Sequence, residues 1–183
     1  MTVFNQDIKV TNVSISSKEP KYSNRSWTGQ QIIRSTGIQY YELSFSLAFN
    51  PIHRAEVMAF ISTHSQGKPF TLSLGHLSQY EGQQAGLLLT TAVAVQGSSV
   101  ITVPSVLEVG SLIQFINHKK LYRVIENTGN SITVFPPLRQ QVQASEQVVY
   151  DNLIIEAVLD VDNDFNTPIQ QIMQIEFKAT EKL

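Results

Sequence analysis

Residues 109–139 read VGSLIQFINHKKLYRVIENTGNSITVFPPLR, and the fold interpretation starts from this stretch. Its apolar residues form three short runs that are rich in β-branched and aromatic side chains: 112–116, 120–125 and 131–135. Asn117, His118 and the Asn-Thr-Gly-Asn sequence at 127–130 separate these runs, and such residues favour the tight turns of hairpins. The stretch therefore predicts a compact antiparallel meander of three strands.

Shorter apolar runs on both sides extend the meander into a larger β unit. Two of them form a predicted hairpin and a third closes the unit, in the order 87–95, 99–103 and 148–150. The chain before and after this region has a different character, with one long strand and a helix. We therefore predict a small β-barrel at 87–150, inserted into a β domain made of residues 1–86 and 151–183.

The strongest strand signal of the flanking domain lies at 41–49, where odd positions are apolar and their neighbours are mostly polar. This period of two is typical of a strand with one buried face. The run IMQIEF at 172–177 has a similar pattern, so we predict that it pairs with 41–49 in the main sheet. The polar segment 16–26 predicts a loop, and 30–36 predicts a hairpin arm that leads into the long strand.

One helix is predicted after the long strand. Asn50 is a typical helix N-cap and Pro51 suits the first helical position. Apolar residues then recur with a period near 3.6, and Gly67 supplies the left-handed conformation that ends a helix. The pattern predicts a helix at 51–65 that flanks the sheet.

Composition argues against several classes of protein. Charged residues make up 15% of the chain, against about 25% in typical domains. A net charge of −2 and a pI near 6.1 argue against a dedicated nucleic-acid binder, which usually has a basic face. The absence of cysteine removes disulfides and thiolate chemistry. No apolar run reaches the roughly 20 residues of a spanning helix, and no signal peptide is evident, so we expect no membrane insertion.

No motif points to catalysis or to a cofactor. The sequence contains neither a G-x-S-x-G nucleophile elbow nor a glycine-rich phosphate loop, so we expect no enzyme. Asp160, Asp162 and Asp164 resemble the first ligands of a calcium loop. However, Phe165 stands at the glycine position and Gln171 replaces the bidentate glutamate. We therefore interpret the segment as an acidic surface turn and predict no metal site.

Short motifs along most of the chain resemble those of tail proteins from long, non-contractile-tailed bacteriophages. In the N-terminal half they are NRSWTGQQ at 24–31, YYELSFSL at 40–47, RAE at 54–56 and QGKPF at 66–70. Farther on they are GSLIQ at 110–114, LYRV at 121–124, PPLR at 136–139 and IEF at 175–177. Position 111 is serine where the family pattern has an acidic residue.

This resemblance implies a structural virion protein of the distal-tail or tail-tip type. It implies a tail-tube-like antiparallel β-sandwich with a flanking helix and an inserted small barrel. Such proteins form a ring, typically a homohexamer, between the tail tube protein and the tail hub protein. The expected location is the virion tail, after assembly in the host cytoplasm. The interface candidates are Trp27, Arg34, Tyr41, Phe45 and Tyr122.

Two further hypotheses belong to different classes. The chain could be a host receptor- or carbohydrate-binding module that uses its inserted barrel, with Trp27, Tyr122 and Phe135 as aromatic contacts. A cell-wall hydrolase would need an acid pair or a zinc motif, and neither is evident. Long strands such as 41–49 favour the ring, because a neighbouring subunit can pair the unpaired backbone groups of an edge strand.

Overall fold

The computed structural model describes Phe4, residues 6–167 and residues 170–182. These residues contain a single α-helix and antiparallel sheets that curl into half-barrels, which confirms the predicted mainly β class. They divide into two compact units. The first unit comprises the described residues of Met1–Arg34, Gln39–Leu72 and Glu156–Leu183. The second comprises Ser35–Ile38 and Ser73–Ile155, and the predicted insert at 87–150 lies within it.

Short strands account for most of the regular structure. In chain order the elements are β1 (Lys9–Lys18), β2 (Lys21–Arg25), β3 (Gln31–Ser35), β4 (Tyr40–Phe49), a 3₁₀ turn (Pro51–His53), α1 (Arg54–His64), β5 (Phe70–Ser73), a second 3₁₀ turn (Gly75–Ser78), β6 (Leu88–Leu89), β7 (Val100–Thr102), β8 (Leu112–Phe115), β9 (His118–Asn127), β10 (Ser131–Phe135), β11 (Gln147–Val149), β12 (Ile154–Leu159) and β13 (Met173–Glu181).

The first unit is built on a five-stranded sheet of order β1-β4-β13-β12-β5. β4 pairs antiparallel with β1 and with β13, and Phe45 lies opposite Phe177, so the predicted pairing of 172–177 with 41–49 is confirmed. The rings of Phe45 and Phe177 stack with centroids 5.2 Å apart. Phe60 of α1 meets the Phe177 ring edge-on at 5.8 Å. These aromatic contacts hold the helix against the sheet.

The helix begins later than its sequence signals indicate. The Asn50 side chain makes no capping bond; instead the His53 N–H donates to the Asn50 carbonyl at 2.9 Å and closes a 3₁₀ turn. The α-helix follows at Arg54, so the prediction of Asn50 as its N-cap is wrong. The predicted stop is confirmed, because Gly67 has a φ of 81°.

The second unit contains a six-stranded sheet of order β6-β11-β8-β9-β10-β7. The predicted meander is confirmed as β8, β9 and β10, with β9 paired to both of the others. Asn127 stabilises the turn after β9: its Oδ1 accepts the Gly129 N–H at 2.8 Å and its Nδ2 donates to the Leu107 carbonyl at 2.8 Å. The amide thereby ties the turn to the segment before β8.

The predicted hairpin of 87–95 with 99–103 is wrong. β6 pairs with β11 and β7 pairs with β10, so the two strands lie at opposite edges of the sheet. Leu88 and Ile101 are both buried in the same core, and their local patterns do not distinguish between partners. The Thr91 N–H donates to the Thr102 carbonyl at 2.9 Å, so the chain beyond β6 reaches β7 as the sheet curls.

Candidate interaction surfaces

A two-stranded hairpin projects its side chains into solvent in the first unit. Strands β2 and β3 pair only with each other, and every residue of both strands is exposed. Between them, the Ser26 N–H donates to the Gln30 carbonyl at 2.8 Å and the Gly29 N–H to the Ser26 carbonyl at 2.9 Å. Gly29 has a φ of 86°, a conformation that residues with a Cβ rarely adopt. We call residues 21–34 the arm.

The arm combines large apolar side chains with positive charge. Its exposed apolar residues, with their exposed fractions, are Tyr22 at 74%, Trp27 at 99%, Ile32 at 53% and Ile33 at 58%. Its charged residues are Lys21, Arg25 and Arg34, and no acidic residue lies between them. A two-stranded hairpin is marginally stable by itself in water, and large apolar side chains that its own chain leaves exposed gain free energy when a partner buries them. The arm therefore has the chemistry of a segment that docks on a partner.

An acidic groove lies on another part of the first unit. Its volume is about 780 Å³, and its lining includes Ser44 and Ser46 of β4 and Glu176 of β13. Asp162 and Asp164, from the loop between β12 and β13, also line it. Lys178 contacts Asp162 at 3.2 Å, but both side chains are well exposed, so this ion pair adds little stability. The groove therefore carries more negative than positive charge, and Phe45, Phe165 and Phe177 give its lining an apolar part.

The side chain of Asn163 bonds the acidic loop to β13. Asn163 Nδ2 donates to the Lys178 carbonyl at 2.8 Å, and the Lys178 N–H donates to Asn163 Oδ1 at 2.7 Å. The Asn163 side chain thus makes the two hydrogen bonds to the Lys178 backbone that a residue of a neighbouring strand would make. Phe165 has a φ of 45° and its ring lies 5.9 Å from that of Phe177. These contacts place the two aspartates beside the strands.

The second unit has a cavity of about 570 Å³, and its polar groups already bond to one another. Tyr80 Oη donates to Glu108, while the Gln83 N–H donates to Glu108 Oε1 at 2.9 Å. The hydrogen bond from Tyr80 lowers the pKa of Glu108; burial and then that same bond raise the pKa of Tyr80. A side chain at Gly82 would collide with both partners. The cluster anchors the loop before β6.

A buried histidine lies in the sheet of the second unit. The His118 ring stacks on Phe115 with centroids 5.0 Å apart, and its Nδ1 is 3.4 Å from Tyr122 Oη. Burial lowers the pKa of His118, and the charge of Glu146 offsets part of that effect. His118 is therefore neutral in the folded protein at neutral pH.

Mild acid is expected to destabilise the second unit through His118. The unfolded chain binds this proton near pH 6.5, whereas the folded chain binds it only at lower pH, so the free energy of unfolding falls as the pH drops below about 6.5. Urea unfolding at about pH 7.5 and about pH 5.5 measures this loss. The His118→Phe variant, which keeps a ring beside Phe115, should lose less stability. Equal losses in both proteins would contradict the expectation.

The interface candidates divide into buried and exposed residues. Tyr41, Phe45 and Tyr122 are only 7%, 1% and 0% exposed. Packing within the chain is therefore enough to explain these three aromatic side chains, without contact with a partner. Trp27 and Arg34 are exposed, and both lie on the arm, Trp27 in its turn and Arg34 on β3. Phe135, an aromatic candidate for ligand binding, is half-buried and lies under the Arg123 guanidinium at 5.9 Å.

The sequence patterns do not predict the first strand of the arm. The polar composition of 16–26 predicts a loop, but β1 continues to Lys18 and β2 covers Lys21–Arg25, so that prediction is wrong. Tyr22, Ile32 and Ile33 therefore lie on an exposed hairpin that the sequence indicated only in its second strand. One signal did point to β2: the predicted strand at 30–36 needs a strand to pair with, and the segment just before it is within reach.

No protein-family model matches this chain, and no curated protein is significantly similar to it. Among the described residues, no helix has the length and apolar character needed to cross a bilayer. Within the same part of the chain, no group of three or more histidines and carboxylates is arranged to hold a metal ion. The fold and surfaces define a class, a mainly β protein of two units with an exposed basic arm.

Proposed function

We propose that this protein is a structural component of a phage tail that assembles into a ring at the distal end, joining the tail tube to the tail-tip hub. The tail-protein motifs support the type of assembly, and a homohexamer is the stoichiometry that the resemblance implies. Its partners are then copies of itself, the tail tube protein and the hub protein. The proposal includes no catalytic step and no cofactor.

The observation that carries the proposal is the exposed arm. A Trp side chain buries about 150–250 Å² when it docks, worth roughly 4–6 kcal/mol at about 25 cal/mol per Å² before the entropic cost of association. Trp27 contributes none of this while it remains exposed. A chain that presents such a residue on a marginal hairpin is suited to assembly with a partner.

The edge of the main sheet is less suited to this contact than the arm. β1 is an edge strand, but its register with β4 shifts between Thr11 and Ser14, where Asn12 has a φ of 52°. An irregularity of this kind twists an edge and discourages pairing with a second sheet. The other edge strand, β5, is only 4 residues long. This favours the arm over edge pairing as the main contact.

The wild-type protein is expected to form rings in electron micrographs and to shift toward larger species in mass photometry as its concentration rises. Trp27→Ala should raise the concentration needed for assembly at least about tenfold, because a central Trp typically contributes 2 kcal/mol or more to an interface. Leu87→Ala, which truncates an exposed apolar residue of the second unit, is the matched control. A wild-type protein that stays monomeric at high concentration would contradict the proposal.

A second candidate function is host receptor or carbohydrate binding. It draws support from the cavity of the second unit, where the rings of Tyr80 and Tyr150 lie 5.0 Å apart beside Glu108. Aromatic surfaces with a few polar groups are typical of ligand pockets. The polar groups of this cavity already bond to each other, which leaves them less available to a ligand. This favours the ring over ligand binding. Glycan-array binding by a protein that remains monomeric would favour this candidate instead.

A further inference from the structure

We propose that the arm of one copy docks into the acidic groove of the first unit of a second copy. This inference rests on the proposed ring, and it names the surface that receives the arm. The arm is residues 21–34, and the groove is the one lined by Asp162, Asp164 and Glu176. Both surfaces belong to every copy, so one contact can repeat around an assembly.

Charge favours this pairing. The arm carries Lys21, Arg25 and Arg34 without an acidic residue between them. Lys21 already contacts Glu19 at 3.1 Å, so the two arginines supply the charge for docking. The groove presents three carboxylates, and Lys178 is the cation beside them. Opposite charges on two such surfaces speed encounter and set the orientation of docking. Arg25 and Arg34 are suited to carboxylates, because a guanidinium binds them with two parallel hydrogen bonds.

The groove also suits the side chain at the tip of the arm. Its volume of about 780 Å³ is within the range of about 300–1,000 Å³ in which proteins bind compact ligands. Phe165 lines the groove and offers an aromatic surface to the indole of Trp27. The indole N–H needs an acceptor once it leaves water, and the neighbouring carboxylates supply acceptors.

The occupant is another copy of the chain, because the chain does not fill its own groove. Trp27 is 99% exposed, so neither this groove nor any other described part of its own chain buries it. Arm and groove are different surfaces of the same unit. A contact between two different surfaces is head-to-tail, and such contacts close into a ring when the rotation between neighbours permits.

Charge reversal on each surface tests the inference. The arm variant is Arg25→Glu with Arg34→Glu, and the groove variant is Asp164→Lys with Glu176→Lys. Each variant alone is expected to need at least about tenfold more protein to assemble, because like charges then face each other. A one-to-one mixture is expected to regain assembly, since each reversed surface meets its reversed partner. Native mass spectrometry of the mixture should show the two chains in equal numbers.

Two controls separate charge from folding. Glu81→Lys with Glu126→Lys makes the same change of net charge as the groove variant, on exposed residues of the second unit, and should assemble like the wild type. Circular dichroism should show that the reversed variants remain folded. If the wild type assembles and the groove variant does so equally well, the inference is overturned while the proposed ring stands. If the wild type does not assemble at all, the proposed ring itself fails.

Discussion

Replacing Phe177 with alanine is expected to lower the free energy of unfolding of the first unit by about 3–5 kcal/mol, the cost of a large cavity in a packed core. Phe177 is fully buried on β13, where its ring stacks on Phe45 at 5.2 Å and meets Phe60 of α1 at 5.8 Å. The substitution removes contacts to the neighbouring strand and to the helix together. Domains are typically stable by only about 5–15 kcal/mol, so this loss is large.

Hydrogen exchange resolved by residue measures this effect, because it reports the two units separately. Protection should fall most in β4, β13 and α1. Phe177→Leu, which retains most of the apolar volume, should cost less than about 1.5 kcal/mol. An alanine variant within about 1 kcal/mol of the wild type would show that the aromatic cluster does not hold this unit together.

Replacing Tyr122 with alanine is expected to cost the second unit a similar amount, about 3–5 kcal/mol. Tyr122 is fully buried on β9, with its ring 5.7 Å from those of Phe115 and His118. Its Oη also accepts the Arg139 N–H at 3.0 Å. The alanine variant therefore loses both the ring packing and a partner for a backbone donor.

Tyr122→Phe separates these two contributions. It keeps the ring and removes the hydroxyl, so the Arg139 N–H loses an acceptor at a cost of about 1–3 kcal/mol. Urea unfolding of the monomer at low protein concentration measures both variants without a contribution from assembly. If Tyr122→Ala left monomer stability unchanged but weakened assembly, Tyr122 would act at an interface and not in the core.

Much of the β framework could be predicted because local pattern and burial agree there. The alternation at 41–49 arises from one buried face, and the same holds for 131–135 in the meander. The first strand of the arm has no local strand signal, since Lys21–Arg25 is polar and has no buried face, and only the need of 30–36 for a partner points to it. The pairing partners of β6 and β7 could not be predicted either, because the sequence of a short apolar strand does not indicate which strand it pairs with.

Local sequence patterns were enough to predict the mainly β class, the helix after the long strand, the central meander and the pairing of β4 with β13. These follow from side-chain periodicity and turn residues, which act over a few positions. Contacts between distant parts of the chain bury Tyr41 and Tyr122 and leave Trp27 exposed. They also place the acidic loop beside Glu176, where it forms a groove. An aromatic or acidic residue has the same local conformational preferences whether it is buried or exposed. Its neighbours in the sequence therefore do not reveal which of the two it is, and only the contacts with distant segments do.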